Sequence, residues 1–575
     1  MKRNKLIYCM IAAGALLVAS CSDFSDYNEV NSTGSAESNL TLMENISSNS
    51  SLSEFAALLE QTGFDSDLSA ATFYTVWAPA NGTFDYDSIA ALDSATLVDR
   101  FIYNHVANYN YPVSGSDEVR VYMLSGKAFS MENSYLGDIA MTDINLPSVN
   151  GVMHILDGYE EFRPNIYEYI FDSESDSLAA YFDYFETLTF DASQSVVGEI
   201  DDLGRQLYSD SVFVEENTLI KLLNASIDDE DSTYTILIPT NEAYAASYEQ
   251  IKEYYAYPSG GSISYYPLSS TGVGSSISVD VDADYQTDSL ARLSLAQNLI
   301  YSHDDWYNGW APDVEDGCEI WQTDTIRTTN RVKISNAEEV ISYTVGDAVE
   351  LSNGYARMID SLAVHPWDSW APELEVDLSR TDNYPLYNSC NVTYTTINDY
   401  NWNTDAGDYV SGYLKVDSLS QSGQPDVYFI LDGVKSTTYN LYVVFLPWNM
   451  EKGTSHPERL IRFDATVCYY GSSGLTTSST DYLLTDSSML GKVDTFFVMQ
   501  VTFPYCYTAL DDDDAAPYLE LRIRRSYYNS TQRNYGNTMR IGGIILRPVE
   551  YDEYLDSLAA TDEEDEEEEE SSDDE

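Results

Sequence analysis

Positive charge is what this chain has least of. Its 575 residues carry 28 Lys and Arg against 95 Asp and Glu, a net charge of −67. Such a surface repels nucleic acid and anionic headgroups, which argues against a nucleic-acid partner. Histidine is scarce as well, with five in the whole chain, and no G-x-S-x-G elbow, P-loop or H-E-x-x-H occurs. The six cysteines show no C-x-x-C or Cys/His spacing that would suggest zinc. The apolar run Leu6 to Val18 is too short to span a bilayer as a mature helix. What is abundant is acid and tyrosine. The 48 Tyr each join a flat apolar ring to a hydroxyl, which suits sheet surfaces and contact with sugars or proteins. The apolar content is too high for a disordered chain, and the length allows three or four domains.

The N-terminus reads as a targeting segment. Lys2, Arg3 and Lys5 form a basic region, the apolar run comes next, and it ends in Val18-Ala19-Ser20-Cys21. This ending resembles a bacterial lipobox, so residues 1–21 are expected to be a lipoprotein signal peptide with Cys21 as the lipidated first mature residue. Acyl chains contribute about 0.8 kcal/mol per buried CH₂, and several make a stable anchor. Residues 22–39 read as a flexible tether. Asp23, Asp26 and Glu29 soon after the cysteine resemble the surface-export signal of bacteria with SusC/SusD-type importers.

Three motifs occur twice in the same order. Tyr74-Thr75-Val76-Trp77-Ala78-Pro79-Ala80-Asn81 is matched by Tyr234-Thr235-Ile236-Leu237-Ile238-Pro239-Thr240-Asn241. Phe101-Ile102-Tyr103-Asn104-His105 is matched by Leu299-Ile300-Tyr301-Ser302-His303. Asn150-Gly151-Val152-Met153-His154-Ile155-Leu156-Asp157 is matched by Asn353-Gly354-Tyr355-Ala356-Arg357-Met358-Ile359-Asp360. Asn81 is placed to cap the segment after it, and Ser53 to cap a helix with the apolar spacing of Phe55, Leu58 and Leu59. These motifs resemble those of the fasciclin domain. The resemblance implies two tandem α+β domains, at 40–163 and 164–376, each a β-sandwich-like wedge with helices packed on it. The second copy has a long inserted loop or hairpin near 254–288. His154 is replaced by Arg357, so a structural role is expected for it, and likewise for His105 and His303. In some family members the Tyr-His region meets cell-surface receptors, which makes Tyr103 and His105 candidates for packing first and partner contact second.

From residue 377 to 550 the pattern changes to short strands, among them Val427–Leu431, Leu441–Phe445, Phe496–Met499, Leu519–Ile523 and Met539–Leu546, the last with a Gly-Gly bulge or bend. This predicts an all-β sandwich, jelly-roll-like, so the whole chain is expected to be mixed α/β and all-β. The acidic stretch 551–575 is expected to be a disordered tail. Asp511, Asp512, Asp513 and Asp514 form either a weak Ca²⁺ site or a hydrated turn. Trp306, Trp310, Tyr400, Trp402, Tyr409, Tyr413 and Trp448 are candidate contacts for a sugar ring or a protein, or rings that cap the cores. Cys468 and Cys506 either pair or stay free. Repeated Asp-Ser steps, such as Asp360-Ser361-Leu362, resemble an O-glycosylation pattern of exported proteins.

No catalytic residue and no cofactor are expected. The expectation is an outer-membrane surface lipoprotein, facing the exterior, that works in adhesion or ligand capture. Glycans, an outer-membrane β-barrel or other envelope proteins are its expected partners. A structural scaffold subunit is the alternative.

Overall fold

A computed structural model describes residues 39–572, apart from 116–117, 202–203, 304–324, 398–409, 421–422, 448–460, 486–492 and 525–535. The chain divides into two compact units, Met1–Pro164 and Asn165–Glu575. Among the described residues no helix is long and apolar enough to cross a membrane.

In the first unit a seven-stranded sheet runs in the order Val106–Asn108, Tyr74–Pro79, Gly151–Leu156, Ile139–Ser148, Tyr135–Leu136, Ala128–Glu132, Val119–Tyr122. The pair at its heart, Tyr74–Pro79 and Gly151–Leu156, is parallel, with Tyr74 opposite Gly151 and Pro79 opposite Leu156. Side chains alternate across a strand. Val76 and Ala78 therefore join Phe55, Leu58 and Leu59 of the helix Ser53–Thr62 in one core. Trp77 goes to the other face and packs with Val121, Met131 and Leu136. Both faces are covered, which explains why this strand is apolar from Val76 to Pro79. Ser53 does not cap its helix. It is the first helical residue, and the preceding Leu52 gives no side-chain cap. Asn81 does the work instead, for the earlier helix: its Oδ1 accepts from Glu54 N at 2.9 Å and its Nδ2 donates to Ser50 O.

The second unit begins with the same device. Tyr234–Pro239 pairs in parallel with Gly354–Ile359 in the identical register, inside a sheet ordered Ile300–Ser302, Tyr234–Pro239, Gly354–Ile359, Thr344–Leu351. Asn241 Oδ1 accepts from Ser177 N at 2.9 Å, at the start of the helix Asp176–Asp183, as Asn81 does in the first unit. Between these parts lie two additions. One is a ribbon of two strands, Glu186–Ile200 and Gln206–Asn217, which pair only with each other. The other is the insert after residue 253, which contains the hairpins Ser262–Tyr265 with Ile277–Asp280 and Leu268–Ser269 with Gly272–Val273.

Two antiparallel sheets come next. One has the order Cys390–Thr396, Gly412–Ser418, Thr538–Pro548, Thr438–Phe445, Asp494–Thr502, with Leu374–Glu375 paired to Thr538–Pro548. The other has the order Leu386–Asn388, Asp426–Ile430, Tyr518–Ile523, Ile461–Gly471, Gly474–Thr485. Their inner faces meet, for example at Phe445 and Phe463, whose rings are 5.1 Å apart. The register shift beside Gly542 and Gly543 is the expected bulge.

Two expectations give way here. The boundary near 377 does not separate independent bodies, because one hydrophobic core runs from Ile166 to Leu546. The insert rivets the join: Cys506 N donates to Ala256 O at 2.8 Å, Tyr257 OH to Thr508 O at 2.7 Å, and Tyr254 OH to Glu550 at 2.8 Å. The acidic tail is a helix, Val549–Ser572, and not disordered. Its first turns are nailed down. Asp552 accepts from Asn440, Tyr442 and Arg547, and Trp367 stacks on Tyr551 at 5.4 Å. A helix whose nucleus is fixed by packing propagates at little further cost, and Glu550 and Asp552 suit its N-terminal dipole.

Candidate functional site

The motif residues do their work inside the fold. Asn150, 2% exposed, accepts from Leu42 N through Oδ1 at 2.8 Å. Its Nδ2 donates to Leu68 O at 2.8 Å and Ala70 O at 2.7 Å. Asn353, equally buried, repeats the set with Ile166 N, Ile227 O and Asp229 O. The glycine after each has a positive φ, +152° at Gly151 and +144° at Gly354. A Cβ there would lie 1.9 and 1.8 Å from the carbonyl oxygens of Tyr74 and Tyr234. Asn-Gly therefore ties a helix, a loop and the parallel strand pair together at one point.

The histidines are spent in the same way. His105 is fully buried, sits 2.7 Å through Nδ1 from Phe101 O, and accepts from Glu160 N at Nε2 at 3.1 Å. This assigns the proton to Nδ1. Burial pushes its pKa down to about 4. His154 is also fully buried and stacks on Trp77 at 5.6 Å. Its Nε2 lies 3.1 Å from Tyr111 O, and its Nδ1 accepts from Asn145 N at 3.4 Å. Desolvation holds it at about 4 as well. Neutral rings bonded to backbone on both sides have nothing to offer a substrate. His303 approaches Thr235 Oγ1 at 2.8 Å and lines a polar cleft of about 320 Å³ with Asn224, Asp231 and Thr329. Arg357 stands at the register position of His154, with its Nε buried and without a hydrogen-bond partner.

The other sequence candidates divide. Partner contact at His105 is ruled out by its burial; Tyr103 is half-buried and packs edge-on to Phe64 at 5.5 Å. Tyr413 is buried. Cys21, Trp306, Trp310, Tyr400, Trp402, Tyr409 and Trp448 lie outside the described residues. The run Asp511 to Asp514 is a turn: Asp512 accepts from Tyr265 OH at 2.8 Å and from Asp514 N, which binds it to the insert. Among the described residues no three His, Cys, Asp or Glu converge on a common metal position. Cys468 and Cys506 are separate buried thiols. Glu160 has a buried Oε1 without a hydrogen-bond partner, and desolvation, helped by Asp138, raises its pKa to about 7.

What the sequence reading missed is the ribbon. Leu188, Val197 and Phe213 are 67%, 64% and 56% exposed. The period-two pattern Thr187-Leu188-Thr189-Phe190-Asp191 was a legible signal.

A family model for the fasciclin domain matches residues 50–159, and a fasciclin domain is present there. No curated protein matches the chain. Among solved structures, a FAS1 domain pair from the insect cell adhesion molecule Fasciclin I is 11% identical, with 56% of this chain and 99% of that one covered and a TM-score of 0.19. The enzymatically active domain of tailspike protein 4 from bacteriophage CBA120 is 8% identical over 28% of this chain and 19% of that one, TM-score 0.17. The exo-β-1,3-galactanase from Phanerochaete chrysosporium, solved with β-1,3-galactotriose, is 10% identical over 76% and 85%, TM-score 0.16. At such scores neither fold nor chemistry transfers.

Proposed function

We propose that the protein is a non-catalytic adhesion or ligand-capture protein of the bacterial outer-membrane surface, held by lipid at Cys21. The observation that carries this reading is the burial of the motif histidines His105 and His154, neutral and bonded to backbone, inside a fasciclin domain. Asn165–Ile359 reads as a divergent second fasciclin copy, supported by the shared strand register and the shared Asn-Gly tie. The last ten strands read as a jelly roll, supported by the way the chain alternates between two facing sheets. Glycans are candidate ligands, and a SusC/SusD-type importer is a candidate host complex. Proteinase added to intact cells should degrade the protein, and labelled palmitate should enter it; full protection from proteinase, or an unlabelled mature form, would overturn the placement.

A second reading, a scaffold subunit of an envelope complex, is favoured by the apolar ribbon, because exposed aliphatic side chains suit protein surfaces better than sugar hydroxyls. Copurification with a β-barrel from detergent extract, with no binding across a glycan array, would select it over ligand capture.

A further inference from the structure

The ribbon Glu186–Asn217 is anchored at its base. Asn217 Nδ2 donates to Phe182 O at 2.8 Å, Tyr167 OH donates to Glu186 at 2.6 Å, and Thr218 N donates to Phe185 O. Beyond that, none of its apolar side chains belongs to the core of the unit. Cross-strand partners share a face. Phe190 lies opposite Phe213, with rings 5.7 Å apart, and 4.7 Å from Tyr208, which is opposite Val197. With Leu188 these make one apolar face. Val214, opposite Thr189, and Leu207 are on the other face, 42% and 49% exposed. A two-stranded ribbon is marginal in water, and one with apolar side chains bare on both faces calls for cover on both.

Charge decides among occupants. From 186 to 217 the sequence has eight acidic residues and one arginine, within a chain of net charge −67. A second copy would set acid against acid. An anionic bilayer repels the same rim. We propose that the ribbon is a docking arm that inserts into an apolar groove rimmed by Lys and Arg on another protein. An apolar centre within a charged rim, complementary to the partner, is the usual anatomy of such a contact, and the ribbon's open strand edges can add to a partner's sheet. The proposal deepens the scaffold reading and rests on it.

The test uses the full chain and a displayed library of random 16-residue peptides. Two variants are compared, Leu188→Asp with Phe213→Asp, and Glu199→Lys with Glu215→Lys; all four side chains are exposed, and hydrogen exchange in Tyr234–Pro239 checks that the unit remains folded. The expected result is a set of clones rich in apolar residues and Lys or Arg that bind at least tenfold more weakly to either variant and weaken further with salt. The proposal is overturned if no clone depends on the ribbon, or if dependent clones lack a cationic excess. Sedimentation showing a dimer that the Asp variant dissolves would overturn it in favour of a second copy. Ribbon-dependent binding to phosphatidylglycerol vesicles would overturn it in favour of lipid. Proteinase accessibility and palmitate labelling do not involve the ribbon, so failure here is distinguishable from failure of the surface placement.

Discussion

Replacing Asn150 by alanine removes one donor group and one acceptor that serve three separated backbone positions. Leu42 N, in the first turn of the helix Leu42–Ser48, and Leu68 O are in buried bonds; Ala70 O is in a partly buried one. A buried backbone group left without a partner costs about 1–3 kcal/mol, and water can replace the third bond in part. The sum is about 3–5 kcal/mol for Asn150→Ala, a large fraction of a small domain's stability. Asn150→Asp separates hydrogen bonding from packing. The carboxylate still accepts from Leu42 N but turns a negative oxygen toward two carbonyls, so at pH 8 it should be worse than alanine and should recover toward pH 4. Hydrogen exchange in the full chain reads both effects in peptides covering Tyr74–Pro79, with Tyr234–Pro239 as internal control. Asn353→Ala should reverse the two roles. The reasoning is refuted if Asn150→Ala costs under about 1 kcal/mol, or if the aspartate variant shows no pH dependence beyond wild type.

Gly354→Ala places a Cβ against Tyr234 O at a positive φ, and should destabilise the second unit by about 3 kcal/mol or more in calorimetry; a change within error would mean the strand pair yields easily. The depressed pKa values of His105 and His154 mean that the unfolded rings bind protons the native ones refuse. Stability of the first unit should therefore fall as pH drops from about 6.5 to 4, by up to about 3 kcal/mol per ring, and a flat urea-unfolding profile over that window would contradict it. Glu160 works in the opposite sense: its raised pKa makes the native state gain stability as pH falls from about 7 to 4.5. Glu160→Gln should stabilise the first unit by about 1 kcal/mol at pH 8, allowing for solvent screening, and have little effect at pH 4. Arg547→Ala removes one of the three donors to Asp552 and the partner of Glu373 and should raise cleavage within Val549–Ser557 by a nonspecific protease; unchanged cleavage would mean that Asn440, Tyr442 and the ring packing hold the helix without it.

The sequence was most legible where geometry forces residue type. A parallel pair entered through an asparagine tie needs Asn-Gly, so Asn150-Gly151 and Asn353-Gly354 recur and mark the two parallel strand pairs. The strands predicted at Leu441–Phe445, Leu519–Ile523 and Met539–Leu546 fall within Thr438–Phe445, Tyr518–Ile523 and Thr538–Pro548. Contacts distant in sequence were illegible. Nothing local says that Asn81 caps a helix 27 residues earlier, that Tyr257 reaches Thr508, or that Trp367 waits for Tyr551. The acidic composition after Asp562 hid a helix whose nucleus lies ahead of it, at Val549 to Tyr554.

The two motif sets also show where function can reside. What recurs is backbone service: Asn81 and Asn241, Asn150 and Asn353, Gly151 and Gly354. What changes is the ring packing between the paired strands, where Trp77 opposite His154 becomes Leu237 opposite Arg357. A histidine whose register position is taken by Arg357 in the second motif set is part of the packing, and chemistry common to both sets cannot depend on it. The segments peculiar to the second unit are therefore the place to look for a task of its own. One of them, the insert after residue 253, is consumed by the join to the two sheets beyond it, with Ile263, Tyr265 and Val279 buried. The ribbon Glu186–Asn217 is not consumed by anything described in its unit. Leu188, Val197 and Phe213 are 67%, 64% and 56% exposed, more than any apolar side chain of the insert's two hairpins, and so the proposed docking surface is placed on the ribbon.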